Sequence, residues 1–211
     1  NVENGRIKDE GEYRLKTAIR EICKTVCSRV RFTSHQAILF VDLAESDRPA
    51  LEDVLHRNGV PLSEDTSTVR RWSMACPAMP TCGLAVTESE RALPGMMDQL
   101  EIELARLGLS DEVFTTRMTG CPNGCARPYN SDIGLVGKTV GKYTILLGGR
   151  TFGDRLNQIY KDLVPSTEVV STLVPLFIYF KQDRQKQETF GDFCYRKGVE
   201  DLAAWSAANS P

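Results

Sequence analysis

The sequence has 211 residues, of which 41% are hydrophobic and 26% are charged, and its formal net charge at pH 7 is −2. A chain of this length can bury a core, and it lacks the basic excess that most nucleic-acid-binding proteins carry. The longest apolar run, "VVSTLVPLFIYF", contains a proline and is too short to span a bilayer. We therefore expect no nucleic-acid partner and no membrane location.

The N-terminal residues predict a small unit of mixed secondary structure. The stretch "LKTAIREICKTVCSRV", residues 15–30, spaces its apolar side chains as an amphipathic helix does. Residues 30–43, "VRFTSHQAILFVDL", are rich in β-branched and aromatic side chains and predict one strand or a bent one. Residues 48–59, "RPALEDVLHRNG", predict a second helix that Gly59 ends. Together they form a predicted first domain, residues 1–66.

The remaining residues, 67–211, predict a second domain in which strands and helices are mixed. A helix is expected from about Thr87 to Gly108, because Thr87 and Glu90 have the spacing of a capping box, and Pro94 would kink or restart it. The other elements expected in this domain are strands within 112–120, 133–137 and 142–149 and helices at 152–163 and 166–185. The predicted fold class is thus α+β.

The cysteines also limit the cellular setting. The chain begins at Asn1 with no methionine and no signal peptide, so we expect a piece of a longer protein or a processed one. Its seven cysteines are an odd number, which argues against a disulfide framework in a chain without a secretory signal. We therefore expect a cytoplasmic protein whose thiols are buried, catalytic or metal-binding.

Four of these cysteines form two pairs in loop-like sequence. Cys76 and Cys82 have the spacing C-x5-C, and after 38 further residues Cys121 and Cys125 have the spacing C-x3-C. Four thiolates in two loops are the ligand set of a 4Fe–4S cluster, in which each iron binds one cysteine. A proline follows the first cysteine of each pair and stops a helix, while glycines nearby let the main chain approach a bulky inorganic core. We expect the four sulfurs to converge.

Other uses of the cysteines stay open on the residues alone. Any single cysteine is often a small buried hydrophobe, two disulfides are conceivable outside the cytosol, and a structural zinc ion also takes four cysteines, although its paired cysteines usually lie closer in sequence. Cys23 and Cys27 are four residues apart on a predicted helix and are expected to pack, as is Cys194. His35 and His56 are isolated and are not expected to bind metal.

Several stretches of the sequence resemble one family of enzymes. "SMACPAMPTC", "RMTGCPNGCARPYNSDIGLVGK", "LGG" and "FGDFCYRKG" resemble the C-terminal half of the sulfite reductases that contain sirohaem and a 4Fe–4S cluster. "ENGRI", "LKTAIREI" and "FTSHQ" resemble the ferredoxin-like half-domain that precedes the cluster domain in that family. The resemblance implies a ferredoxin-like half-domain at 1–66 followed by an α/β domain at 67–211 that binds both cofactors.

The resemblance also implies roles for individual residues. Cys76, Cys82, Cys121 and Cys125 would bind the cluster, and Cys125 would also be the axial ligand of the sirohaem iron, with Asn123 and Arg127 supporting the cofactor site. The implied reaction is the six-electron reduction of sulfite to sulfide, with electrons from ferredoxin or a flavoprotein subunit and with an N-terminal half that is missing here. The alternatives are a nitrite reductase of the same architecture and a non-catalytic Fe–S or zinc module.

Overall fold

The computed structural model describes residues 1–209. The chain divides into two compact units, Asn1–Ser67 and Thr68–Pro211, and the last two residues of the second unit lie outside the described range. The first unit combines two short antiparallel hairpins with two helices: β1 Asp9–Glu10, β2 Tyr13–Arg14, α1 Leu15–Thr25, β3 Val30–Phe32, β4 Ile38–Phe40 and α2 Arg48–Arg57.

The first unit has a small apolar core between its helices and hairpins. Its buried side chains include Leu15, Ala18 and Ile22, which share one face of α1, and Val54 of α2. The residues predicted as one strand form a hairpin, because a turn at 33–37 reverses the chain, and Phe32 and Leu39 on it remain exposed. The unit thus keeps apolar surface outside its core.

The second unit is built on a five-stranded mixed sheet with helices packed on one face. The strand order is β5-β6-β7-β8-β9; β5, β6 and β7 are parallel and the remaining pairs are antiparallel. The strands are β5 Ser73–Ala75, β6 Thr116–Thr119, β7 Ile133–Thr139, β8 Lys142–Leu147 and β9 Gln158–Pro165. The helices are α3 Thr68–Arg71, α4 Leu93–Leu107, α5 Val169–Asp183, α6 Phe190–Lys197 and α7 Val199–Asn209.

Aromatic side chains fill the main core of the second unit. Phe114, which precedes β6, meets Phe177 of α5 and Phe190 of α6 edge to face, at centroid distances of 5.1 and 5.4 Å. Edge-to-face packing is a preferred geometry for such rings. Because α4 joins β5 to its parallel neighbour β6, the carboxyl ends of both strands lie at the same edge of the sheet.

The α+β fold class is confirmed, but two predicted helices are corrected. The segment 152–163 is not a helix, because residues 158–165 form β9 and pair with β8. Three of its apolar side chains, Leu156, Ile159 and Leu163, are exposed. The helix expected from Thr87 begins only at Leu93, since the Thr87 hydroxyl accepts a hydrogen bond from the Gly141 amide instead of capping. Pro94 lies in its first turn, where no amide donor is needed.

None of the helices within the described residues is long and apolar enough to cross a membrane.

Candidate metal centre

The first cysteine of each pair lies at the shared carboxyl edge of β5 and β6. Cys76 directly follows β5, and its main-chain amide donates a hydrogen bond to the Met118 carbonyl of β6 at 3.1 Å. Cys121 follows β6 after one glycine, and that glycine's amide, Gly120 N, donates to the Cys76 sulfur at 3.4 Å. The strand register therefore brings the two cysteine loops together.

Gly120 is a point of close approach between the two loops. Its carbonyl accepts hydrogen bonds from the amides of Val86 and Thr87, at 2.9 and 3.2 Å, so the loop that carries Cys82 returns to it. A Cβ at Gly120 would lie 2.5 Å from the Thr87 carbonyl oxygen and 2.7 Å from the Ala78 Cβ. Only glycine fits between these two segments, which explains why the sequence places it directly before Cys121.

The four candidate ligands differ in exposure. Cys76 and Cys121 are buried, with 8% and 7% of their surface exposed, Cys82 is half-buried, and Cys125 is exposed. All four are free thiols, so no disulfide competes with metal binding among them. One end of the set is thus closed off inside the protein, and Cys125 faces outward.

The donor set suits a cluster, although its side chains are not gathered around one point. Within residues 1–209, no three His, Cys, Asp or Glu side chains are grouped closely enough to hold a single metal ion. A single zinc ion needs sulfurs about 2.3 Å away on every side, whereas a 4Fe–4S cluster spreads its cysteines over four irons. Four free thiols on two joined loops, one already accepting an amide hydrogen bond, fit that chemistry.

The other three cysteines lie elsewhere. Cys23 is half-buried on α1, and Cys27 is in the core of the first unit, where its thiol lies within hydrogen-bond distance of the Arg29 and Val41 carbonyls. Cys194 is buried in α6, and desolvation raises the pKa of its thiol well above the ordinary value. His35 and His56 are both exposed in the first unit.

A buried cation lies on β6, four residues before Cys121 in the sequence. Arg117 of β6 is 1% exposed, and its guanidinium donates to the Asn130 side-chain oxygen at 3.2 Å. Burial, together with the neighbouring charge of Arg127, lowers the pKa of Arg117 to about 10. Neither composition nor spacing distinguished Arg117 from an ordinary surface arginine, because its burial depends on the strand register.

The two residues proposed to support the cofactor flank Cys125. Asn123 is exposed, and Arg127 is half-buried with a left-handed backbone, φ +56°. Two other cations have carboxylate partners: Lys138 pairs with Asp162 at 3.5 Å, and Arg150 pairs with Asp192 at 2.7 Å. Among the described residues, the Thr119 hydroxyl, two residues before Cys121, is buried without a hydrogen-bond partner. Two cations, Arg117 and Arg127, and the Thr119 hydroxyl thus lie close in sequence to the thiols of Cys121 and Cys125.

Two family models match the chain, one for each part. The model for the nitrite and sulphite reductase 4Fe-4S domain matches residues 67–209, and that for the nitrite/sulfite reductase ferredoxin-like half domain matches residues 1–58. All four candidate ligands fall within the first of these matches.

Similar curated proteins are much longer than this chain. A sulfite reductase [NADPH] hemoprotein beta-component from Staphylococcus carnosus is 44% identical over 94% of the chain, which covers 35% of that protein. A sulfite reductase [ferredoxin] from Synechococcus elongatus is also 44% identical, over 97% of the chain and 33% of the relative. The chain therefore spans about a third of the length of these relatives.

Two solved structures have a similar fold. The NirA protein of Mycobacterium tuberculosis superposes with a TM-score of 0.75 at 26% identity, over 88% of this chain and 36% of that one. Dissimilatory sulfite reductase I superposes with a TM-score of 0.68 over 96% of this chain and 67% of that one. At 12% identity, the second likeness concerns the fold alone.

Proposed function

Because the chain belongs to the nitrite and sulphite reductase family, we propose that it is the C-terminal part of a sulfite reductase haemoprotein. That protein would reduce sulfite to sulfide by six electrons through a sirohaem coupled to a 4Fe–4S cluster. The observation that carries the proposal is 44% identity to a sulfite reductase hemoprotein over 94% of the chain, with all four predicted cysteines inside the matched 4Fe-4S domain. Residues 1–66 would be its half-domain and residues 67–211 its cofactor domain.

The proposed cluster ligands are Cys76, Cys82, Cys121 and Cys125. A bound cluster supplies one-electron redox chemistry; the protein supplies deprotonated thiols and their surroundings. The Gly120 amide would stabilise the Cys76 thiolate by its hydrogen bond, and hydrogen bonds to ligand sulfurs are one of the factors that set a cluster's potential. Cys76 and Cys121 are buried and would hold the cluster on its protected side.

Cys125 is proposed as the catalytic ligand that also binds the sirohaem iron. Its exposure supports this role, since a thiolate shared between two cofactors must reach outside its own loop. Arg127 and Asn123 flank it and would bind the cofactor, whose rim is lined with carboxylates. A carboxylate of the bound cofactor beside Arg117 and Arg127 would stabilise the charged form of Arg117 and so offset the burial and like-charge repulsion that lower its pKa.

The partners of the proposed enzyme follow from the same comparison. One similar protein is named for NADPH and another for ferredoxin, so the electron donor is proposed to be a flavoprotein subunit or ferredoxin. Further cationic residues for sulfite and sirohaem would come from an N-terminal half, and the exposed apolar side chains of the first unit would be covered by it. Free thiols suit a reducing compartment, which supports our proposal that the protein is cytoplasmic.

Turnover measurements on the complete protein test this proposal. We expect the wild type to produce sulfide from sulfite with a reduced donor, and Cys125→Ser to lose this turnover. Cys23→Ser, a control substitution on α1, should retain it. The family description also names nitrite; faster reduction of nitrite than of sulfite would favour a nitrite reductase instead. Residues 1–211 alone should be inactive and should lose sirohaem, so stoichiometric sirohaem in that piece would contradict a missing half.

A further inference from the structure

Tyr129 makes two contacts with the loop that carries Cys121 and Cys125. Its hydroxyl donates a hydrogen bond to the Pro122 carbonyl at 2.7 Å. Its ring lies against Gly124, where a Cβ would be only 2.7 Å from the ring's Cε2. Both contacts fall on residues between the two cysteines, so the side chain closes the loop from the downstream side.

Tyr129 is itself tied to the connection between β8 and β9. The Asn157 main-chain amide donates to the Tyr129 carbonyl at 2.7 Å, and the Asn157 side-chain amide donates to the Pro128 carbonyl at 2.7 Å. The side-chain oxygen of Asn157 accepts a hydrogen bond from Gly149 N. One asparagine therefore joins the segment after Cys125 to the connection that follows β8.

That connection is also fixed in place. Arg155 donates from Nε to the Gly148 carbonyl at 2.6 Å and from its terminal nitrogen to Asp192 of α6 at 2.8 Å. Arg150 binds the same carboxylate oxygen at 2.7 Å. The hydrogen bonds thus run without a break from α6, through residues 148–157, to Tyr129 and Pro122.

We propose that Tyr129 is a positioning residue for the Cys121–Cys125 loop, and that Asn157 holds Tyr129 in place. This inference rests on the proposed cluster ligands and adds how their loop is held. None of the hydrogen bonds of Tyr129 and Asn157 described above uses a cysteine sulfur, so we expect them to hold the loop before metal binds as well as afterwards. A loop that is ordered in advance loses less conformational entropy when its cysteines bind a cluster. A cysteine held in this way also dissociates less readily from its iron.

Tyr129→Phe is the informative variant, because it removes the hydroxyl and keeps the ring against Gly124. Alkylation rates of individual cysteines in the reduced, metal-free protein, read by peptide mass spectrometry, report on the loop. Loss of one hydrogen bond should raise the labelling rate of the buried Cys121 about fivefold. Cys194, buried in α6, reports general loosening and should be unchanged. Tyr13→Phe in the first unit is the matched control and should alter neither rate.

A second measurement follows the cluster. Iron release from the reconstituted protein to a chelator should be about fivefold faster in Tyr129→Phe than in the wild type. Asn157→Ala should have the same effect, since it frees the Pro128 carbonyl and Gly149 amide that it now joins.

The outcomes separate this inference from the proposed function. Unchanged labelling of Cys121, equal increases at Cys121 and Cys194, or unchanged iron release would each overturn the positioning role. A wild-type protein that takes up no iron would contradict the proposed cluster instead, and the labelling of Cys121 would still decide whether Tyr129 holds the loop. Faster labelling of Cys121 alone, together with faster iron release, is the result we expect.

Discussion

The Gly120 amide donates a hydrogen bond to the Cys76 sulfur at 3.4 Å, across 44 residues of sequence. The donor directly precedes Cys121, so the bond joins the two cysteine loops at the first cysteine of each. Two parallel strands produce this arrangement, because β5 and β6 end side by side and each continues into a loop. The parallel sheet therefore brings Cys76 and Cys121, which are distant in sequence, close together in space.

Gly120→Ala should separate the two loops. The added Cβ would lie 2.5 Å from the Thr87 carbonyl oxygen, a backbone atom that has little room to move, so one segment must shift. Overpacking of this kind costs about 1–3 kcal/mol, and we expect a lower free energy of unfolding in urea together with weaker iron retention. Gly95→Ala, in the first turn of α4 with open space around its Cβ, is the control and should not destabilise the protein. Equal stability of the two variants would refute the close crossing.

Gly124→Ala tests the contact between the C-x3-C loop and Tyr129. Gly124 has φ +70°, and its Cβ would also meet the Tyr129 ring, so alanine there combines backbone strain with a collision. Gly141→Ala has nearly the same φ, +67°, with nothing near the added Cβ, and isolates the strain, about 1–2 kcal/mol. Thermal unfolding should show a larger loss for Gly124→Ala, and a loss no greater than that of Gly141→Ala would count against the ring contact.

Asp192 should make stability depend on pH in the acid range. Burial opposes ionisation, but hydrogen bonds from Arg155, Arg150 and Thr189 outweigh it and hold the pKa of Asp192 below its ordinary value. A depressed folded pKa contributes stability above the unfolded pKa, about 3.9, and that contribution is lost as the pH falls through the folded value.

The corresponding variant is Asp192→Asn, measured by urea unfolding at two pH values. At pH 7 its free energy of unfolding should be lower by about 1.5–3 kcal/mol, the range for hydrogen bonds to charged groups, and the difference should shrink near pH 3. Asp154→Asn removes a more exposed partner of Arg150 and should cost less than about 1 kcal/mol. A difference for Asp192→Asn that is the same at both pH values would show that its charge is not responsible.

The fold class predicted from the sequence is confirmed, and the assignment of the four cysteines as ligands stays a prediction. The sequence missed features that depend on neighbours in space. The segment 152–163 is predicted to be a helix, but pairing with β8 makes residues 158–165 a strand. Arg117 gave no sign of being buried, since its surroundings come from the strand register. Tyr129 lies within the stretch that carries the family resemblance, but neither it nor Asn157 stood out there, because their proposed roles depend on contacts between two loops that only the folded chain brings together.

Metal analysis of Cys→Ser variants tests the central claim most directly. After anaerobic reconstitution of the complete protein, the wild type should hold about four irons and four inorganic sulfides per chain that belong to one cluster. Cys121→Ser should lose most of them, because a serine hydroxyl is a poor substitute for a buried thiolate, while Cys23→Ser should keep the full amount. A Cys121→Ser protein with an unchanged cluster, or a wild type that binds stoichiometric zinc and no cluster, would contradict the account.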